Sequence, residues 1–183
     1  MKIIVAVTAA SGAIYARLTL ESLLRNREVE RIALIYSSHA REVAAHEQIV
    51  TPNDSRITLY DNHDLFTSLA SGSATWDAMA IVPCTVGTLG RIAAGTAQSL
   101  IERAADVMLK ERRRLVFVVR ETPLSLIHLR NMTTLTECGA IILPATPSFY
   151  SLPATIEDLC ATVVERLVAQ LGLESPHYEW DKR

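Results

Sequence analysis

A chain of 183 residues suits one domain of ordinary size and leaves little room for a second. Hydrophobic residues make up 49%, enough for a sizeable core, and the formal net charge of -2 gives no general attraction to nucleic acid or to an anionic membrane. Three scattered cysteines, Cys84, Cys138 and Cys160, lack the spacing of a zinc site or a redox dithiol and read as reduced thiols of a cytoplasmic protein.

Lys2 to Thr8 is a near-continuous apolar run bounded by small residues, the pattern of a strand buried on both faces. It is too short for a signal peptide or a membrane span. Ile14 to Arg25 follows with helical spacing, then a second apolar run from Arg31 to Tyr36 and a helical stretch from His39 to about Ile49. Pro52 to Ser73 is polar and turn-rich, with room for a short strand at Ile57 to Tyr60. A third buried strand spans Ala78 to Val82 and is closed by Pro83, and two helices are expected over Val86 to Ala94 and Gln98 to Glu111. Leu115 to Val119 is the fourth strand, Leu124 to Cys138 a helix, and Ala140 to Leu143 the fifth strand, ending at Pro144. The last helix runs from about Ile156 to Leu171. Alternation of this kind predicts an α/β fold, a Rossmann-like (flavodoxin-like) three-layer doubly wound parallel sheet. The domain is expected over residues 1–173, with a polar tail containing Tyr178 and Trp180 over residues 174–183.

Four constellations could carry chemistry. Between the first strand and first helix, Thr8, Ala9, Ala10, Ser11, Gly12 and Ala13 let a ligand approach the backbone, and the helix start offers amides to a phosphate. A capped tight turn explains the same residues. No G-x-G-x-x-G is present, so a dinucleotide is not indicated. After the third strand, Cys84, Thr85, Val86, Gly87 and Thr88 would lie on the same rim, where open α/β sheets bind ligands. Thr85 reads equally as an N-cap, and Cys84 as a buried small residue. Arg103 and Lys110 are two helical turns apart, and Arg120 with Glu121 closes an apolar strand on the binding rim, an unusual place for charges that only solubilise. Finally, Phe149 and Tyr150 follow the fifth strand and Arg166 lies on the last helix. An aromatic plug and an exposed charge are the plain readings of these, and Glu47 is anonymous by itself. The five histidines show no metal-ligand spacing.

Together these segments resemble the UbiX flavin prenyltransferases, a family that includes proteins formerly described as phenylacrylic acid decarboxylases. The specific stretch is Arg103-Ala104-Ala105-Asp106-Val107, Leu109-Lys110-Glu111-Arg112-Arg113 and Arg120-Glu121-Thr122-Pro123-Leu124, continued by His128-Leu129, Met132, Pro144, Pro147 and Phe149-Tyr150. The resemblance implies an FMN-binding protein, usually a dodecamer, with sites at subunit interfaces. It implies FMN contacts at Ala9, Ala10, Ser11, Ser37, Thr85, Val86, Gly87, Thr88 and Arg120. The prenyl phosphate would be held by Lys110, Glu121, Tyr150 and Arg166, with Arg103 among them, and Glu47 would serve proton transfer near the flavin. The implied reaction joins a dimethylallyl group from dimethylallyl phosphate to reduced FMN at N5 and then C6, without a metal. Its product would serve a UbiD-type decarboxylase.

The chain departs from the family's common pattern at Ala9 (often glycine), Ser38 (often lysine), Thr85 (often serine) and Gly87 (often bulkier). Two rivals share fold and cofactor. A flavin-dependent cysteine decarboxylase would need a catalytic histidine and an asparagine in the loop that here reads Pro83-Cys84-Thr85-Val86-Gly87. A non-catalytic flavin carrier would have no evident use for a second phosphate site.

Overall fold

The strands expected from apolar runs do form, and the doubtful one at Ile57–Tyr60 joins them, in a computed structural model that describes residues 1–175. Most of the expected tail, including Tyr178 and Trp180, lies outside the described residues. The strands are β1 (Lys2–Val7), β2 (Arg31–Tyr36), β3 (Ile57–Tyr60), β4 (Ala78–Cys84), β5 (Arg114–Val119) and β6 (Ile141–Pro144). All pair in parallel, in the order β3-β2-β1-β4-β5-β6, with Lys2 opposite Arg31 and Ile3 opposite Ala78. That order is the one of doubly wound nucleotide-binding sheets, and its reversal falls between β1 and β4. Pro83 ends the expected third strand, but β4 runs on to Cys84 through a register shift after Ile81. Proline donates no ladder hydrogen bond, and the irregularity accommodates it.

Each central strand is apolar at nearly every position because both sheet faces are covered. On one face Ile3, Val5, Leu34, Val116 and Val118 pack against α1 (Ala13–Arg25) and α6 (Ile156–Gln170), through Leu20, Leu23, Val164 and Leu167. On the other, Ile4, Ile35, Met79, Ile81 and Phe117 meet α3 (Val86–Ala93), α4 (Leu100–Lys110) and α5 (Leu126–Glu137). Capping boxes start α4 at Ser99 with Glu102 and α6 at Thr155 with Asp158, reciprocal bonds that satisfy amides a helix start leaves open.

The second helix, α2, spans only Ala40–His46, shorter than its periodicity suggests. Gln48 takes a left-handed φ of 58°, Gln48 N donates to Ala45 O and Ile49 N to Ala44 O. These are the two bonds of a Schellman stop, made here without the usual glycine. The stop leaves Glu47 as the capping residue, directed off the helix end.

Candidate active site

The loops after β1 and β4 flank the point where strand order reverses, and one side chain ties them together. Thr8 Oγ1 donates to Pro83 O at 2.8 Å and accepts from Thr85 N at 2.8 Å. Ala9, Ala10 and Ser11 therefore sit beside Thr85, Val86, Gly87 and Thr88 on one rim. Ser37, whose amide donates to Val7 O, joins them at the end of β2. A cavity of about 360 Å³ extends outward from Ser37, lined by Tyr36, Arg41, Tyr60, Asn62 and His63. Cys84 is fully buried and burial pushes its thiol pKa up, so it is a packing residue and not a nucleophile.

Gly12 begins α1 with φ at 101°, and an added Cβ would stand 2.9 Å from the Tyr15 ring. Gly12→Ala is expected to destabilise the protein by about 1–2 kcal/mol through strained backbone and that contact. Urea unfolding checks this, and an unchanged midpoint would mean the turn relaxes freely.

Glu47 crosses from the end of α2 to the start of α1. Its carboxylate accepts from Gly12 N at 2.9 Å and from Ala13 N at 2.7 Å. Partial burial works to raise its pKa, but the Ser11 hydroxyl, these two amides and the Arg120 charge prevail and hold it below the ordinary glutamate range. The amides at the start of α1, which the sequence offers to a phosphate, are thus occupied by a side chain of the same protein.

Arg120 follows β5, with its amide donating to Cys84 O. Its Nε is buried and has no hydrogen-bond partner among the described residues. Buried donors are nearly always paired, so an orphan guanidinium nitrogen beside the β1–β4 crevice fits an anionic or carbonyl group of a ligand such as a flavin. Glu121 is half-buried next to it, and Tyr150 is exposed on the loop after β6.

The remaining expected site residues do not gather there within one chain. Lys110 is the last residue of α4 and pairs with Glu111. Since α4 runs back toward the start of β5, Lys110 lies at the opposite sheet edge from Glu121, about 20 Å away along a six-residue strand. Arg166 is ten residues into α6, about 15 Å from that helix's start at the rim. Arg103 lies on the flank, bound to Ala70 O and Asp106. Sequence reading missed Arg91 and Glu102 entirely. The Ser-x-x-Glu spacing from Ser99 marks Glu102 as a capping residue, but nothing local marks its pairing with Arg91.

The Flavoprotein family model matches residues 1–169 of this chain. Flavin prenyltransferase UbiX of Methanocaldococcus jannaschii is 42% identical over 178 residues, covering 96% of this chain and 95% of its own. The chain belongs to the UbiX flavin prenyltransferase family. Family relatives of known structure superpose closely. AnUbiX (PadA1), crystallised with FMN and dimethylallyl pyrophosphate, gives a TM-score of 0.90 at 40% identity, covering 98% of this chain and 96% of that one. A dodecameric FMN-dependent UbiX-like decarboxylase from Escherichia coli O157:H7 gives 0.90 at 39% identity, covering 98% and 99%.

Proposed function

We propose that this chain transfers a dimethylallyl group from its phosphate ester to reduced FMN, making prenylated FMN for a UbiD-type decarboxylase. The observation that carries this reading is the near-complete superposition on a family member holding FMN and a prenyl donor together. Reduced FMN, when bound, supplies the nucleophile of the reaction. The chain's own residues bind, orient and handle protons. Ala9, Ala10, Ser11, Ser37, Thr85 to Thr88 and Arg120 form the flavin rim, and the orphan Arg120 Nε supplies a donor. Glu47, kept ionised beside Ser11, accepts a proton. Lys110, Glu121, Tyr150 and Arg166 hold the prenyl phosphate, whose departure the cations stabilise, each by roughly 3 kcal/mol. No metal is required in this scheme.

Lys110 reaches a site only from a neighbouring subunit, which supports a homo-oligomer on the pattern of the dodecameric relative. Large apolar side chains stand ready for such contacts, among them Phe66 (fully exposed), Ile127, Phe149 and Leu152. We place the protein in the cytoplasm on its three free thiols. Among the described residues no helix is long and apolar enough to cross a membrane.

The test is anaerobic incubation with reduced FMN and either dimethylallyl monophosphate or the diphosphate, then mass spectrometry of the extracted flavin. A flavin heavier by one five-carbon unit is expected with at least one donor. FMN recovered unchanged from both would favour a carrier role.

A further inference from the structure

We propose that Arg91 is a positioning residue that, anchored on the buried Glu102, turns the Thr88 hydroxyl into a hydrogen-bond donor aimed at the flavin. This rests on the reading above that the Thr85–Thr88 loop contacts FMN. Thr88 is only 4% exposed, and every described bond of its hydroxyl is one it accepts. Thr85 Oγ1 donates to it at 3.0 Å, and Arg91 Nη2 donates at 3.2 Å. A hydroxyl oxygen has two acceptor positions and one proton. Both positions are filled, so the proton must point away from Thr85 and Arg91, and no acceptor for it exists among the described residues. A buried hydroxyl proton without an acceptor is costly, and a ligand acceptor at the crevice removes that cost.

Arg91 is fixed for this task from behind. Its Nε donates to Glu102 Oε1, and Glu102 Oε2 accepts from Gln98 N at 2.9 Å and Ser99 N at 3.3 Å. Glu102 is 3% exposed, so its charge is tolerated only because these donors saturate it. The guanidinium is a rigid fork, and gripping one side of it sets the direction of the other. Gly87, on the same turn, bears no side chain; an added Cβ would stand 3.6 Å from Arg91 Nη1, so the fork lies directly under the loop that is to meet the flavin.

The experiment measures FMN affinity by fluorescence quenching, with thermal unfolding alongside, in a cycle between this pair and Thr88. The compensated variant Arg91→Met/Glu102→Gln removes both charges together, so its fold is not burdened by an unpaired carboxylate. It is expected to melt near the wild-type temperature yet bind FMN roughly tenfold more weakly. Combined with Thr88→Val, it should cause less than a further twofold loss, because Arg91 acts through that hydroxyl. Should the double variant not fold, Arg91→Lys keeps a charge on Glu102 but loses the fork, and the same tenfold loss and the same cycle are expected. Unchanged affinity, or a tenfold loss that persists in the Thr88→Val background, would overturn the proposal. Wild-type protein that fails to bind FMN would instead sink the flavin reading on which it rests.

Discussion

Glu47→Gln is expected to slow prenyl transfer by on the order of 10²- to 10³-fold while FMN affinity changes only a few-fold. The carboxylate sits where three donors converge, the Ser11 hydroxyl and the amides of Gly12 and Ala13. Those donors, with the Arg120 charge, outweigh burial and depress its pKa, so at neutral pH the group is an anion with room for a proton, though a weaker base than an ordinary glutamate. Glutamine keeps the shape but cannot accept a proton, and its amide hydrogens face donors. The pH dependence follows with the same sign. Because the pKa is lowered in the folded protein, the Glu47 contribution to stability and rate is present above the ordinary glutamate pKa. It is lost as pH falls through the lowered value. Single-turnover rates from pH 8 down to about 3 check both points in one series, with no loss expected until the pH is below the ordinary glutamate value of about 4.3. A wild-type rate in the variant would remove Glu47 from the mechanism, and a parallel loss of FMN would make it a structural cap of α1.

Lys110→Ala and Glu121→Gln are each expected to lower prenyl transfer by on the order of 10²-fold, and co-expressed together they are expected to rescue one another. Lys110 ends α4 at the amino edge of the sheet and Glu121 follows β5 at the carboxyl edge, so within one chain the two stand at opposite ends of β5. If a site draws them from different subunits of a symmetric assembly, random mixing leaves about a quarter of sites with both native residues. Activity near that fraction in a mixed assembly, against almost none in either parent, is the expected result. No rescue in a mixture shown by mass spectrometry to be hetero-oligomeric would mean both residues reach the site from one chain.

Much of this was legible in the sequence, for local reasons. Apolar runs such as Ile3 to Val7 and Leu115 to Val119 are strands because only burial on both faces tolerates such composition. Ser99 and Thr155 start helices because their hydroxyls and the acids three residues on close a capping box. The stretch from Arg103 to Leu124 was specific enough to indicate the family. By contrast, the end of α2 was misjudged because Gln48 does the work usually left to glycine, and local propensity does not register it.

What only the tertiary structure decided are pairings between residues far apart in the chain. Glu47 meets Gly12 and Ala13 across more than thirty residues, and Thr8 meets Pro83 and Thr85 across more than seventy. Arg91 meets Glu102 between two separate helices. Helical spacing puts Arg103 and Lys110 on one face but does not say that two turns carry the second toward the opposite sheet edge from Glu121. The sequence by itself determined which residues are buried and where elements begin, because burial and capping depend on residue type and near neighbours. Which charges face one another depended on the parallel sheet order and on helices running antiparallel to the strands, a geometry set only when the layers pack.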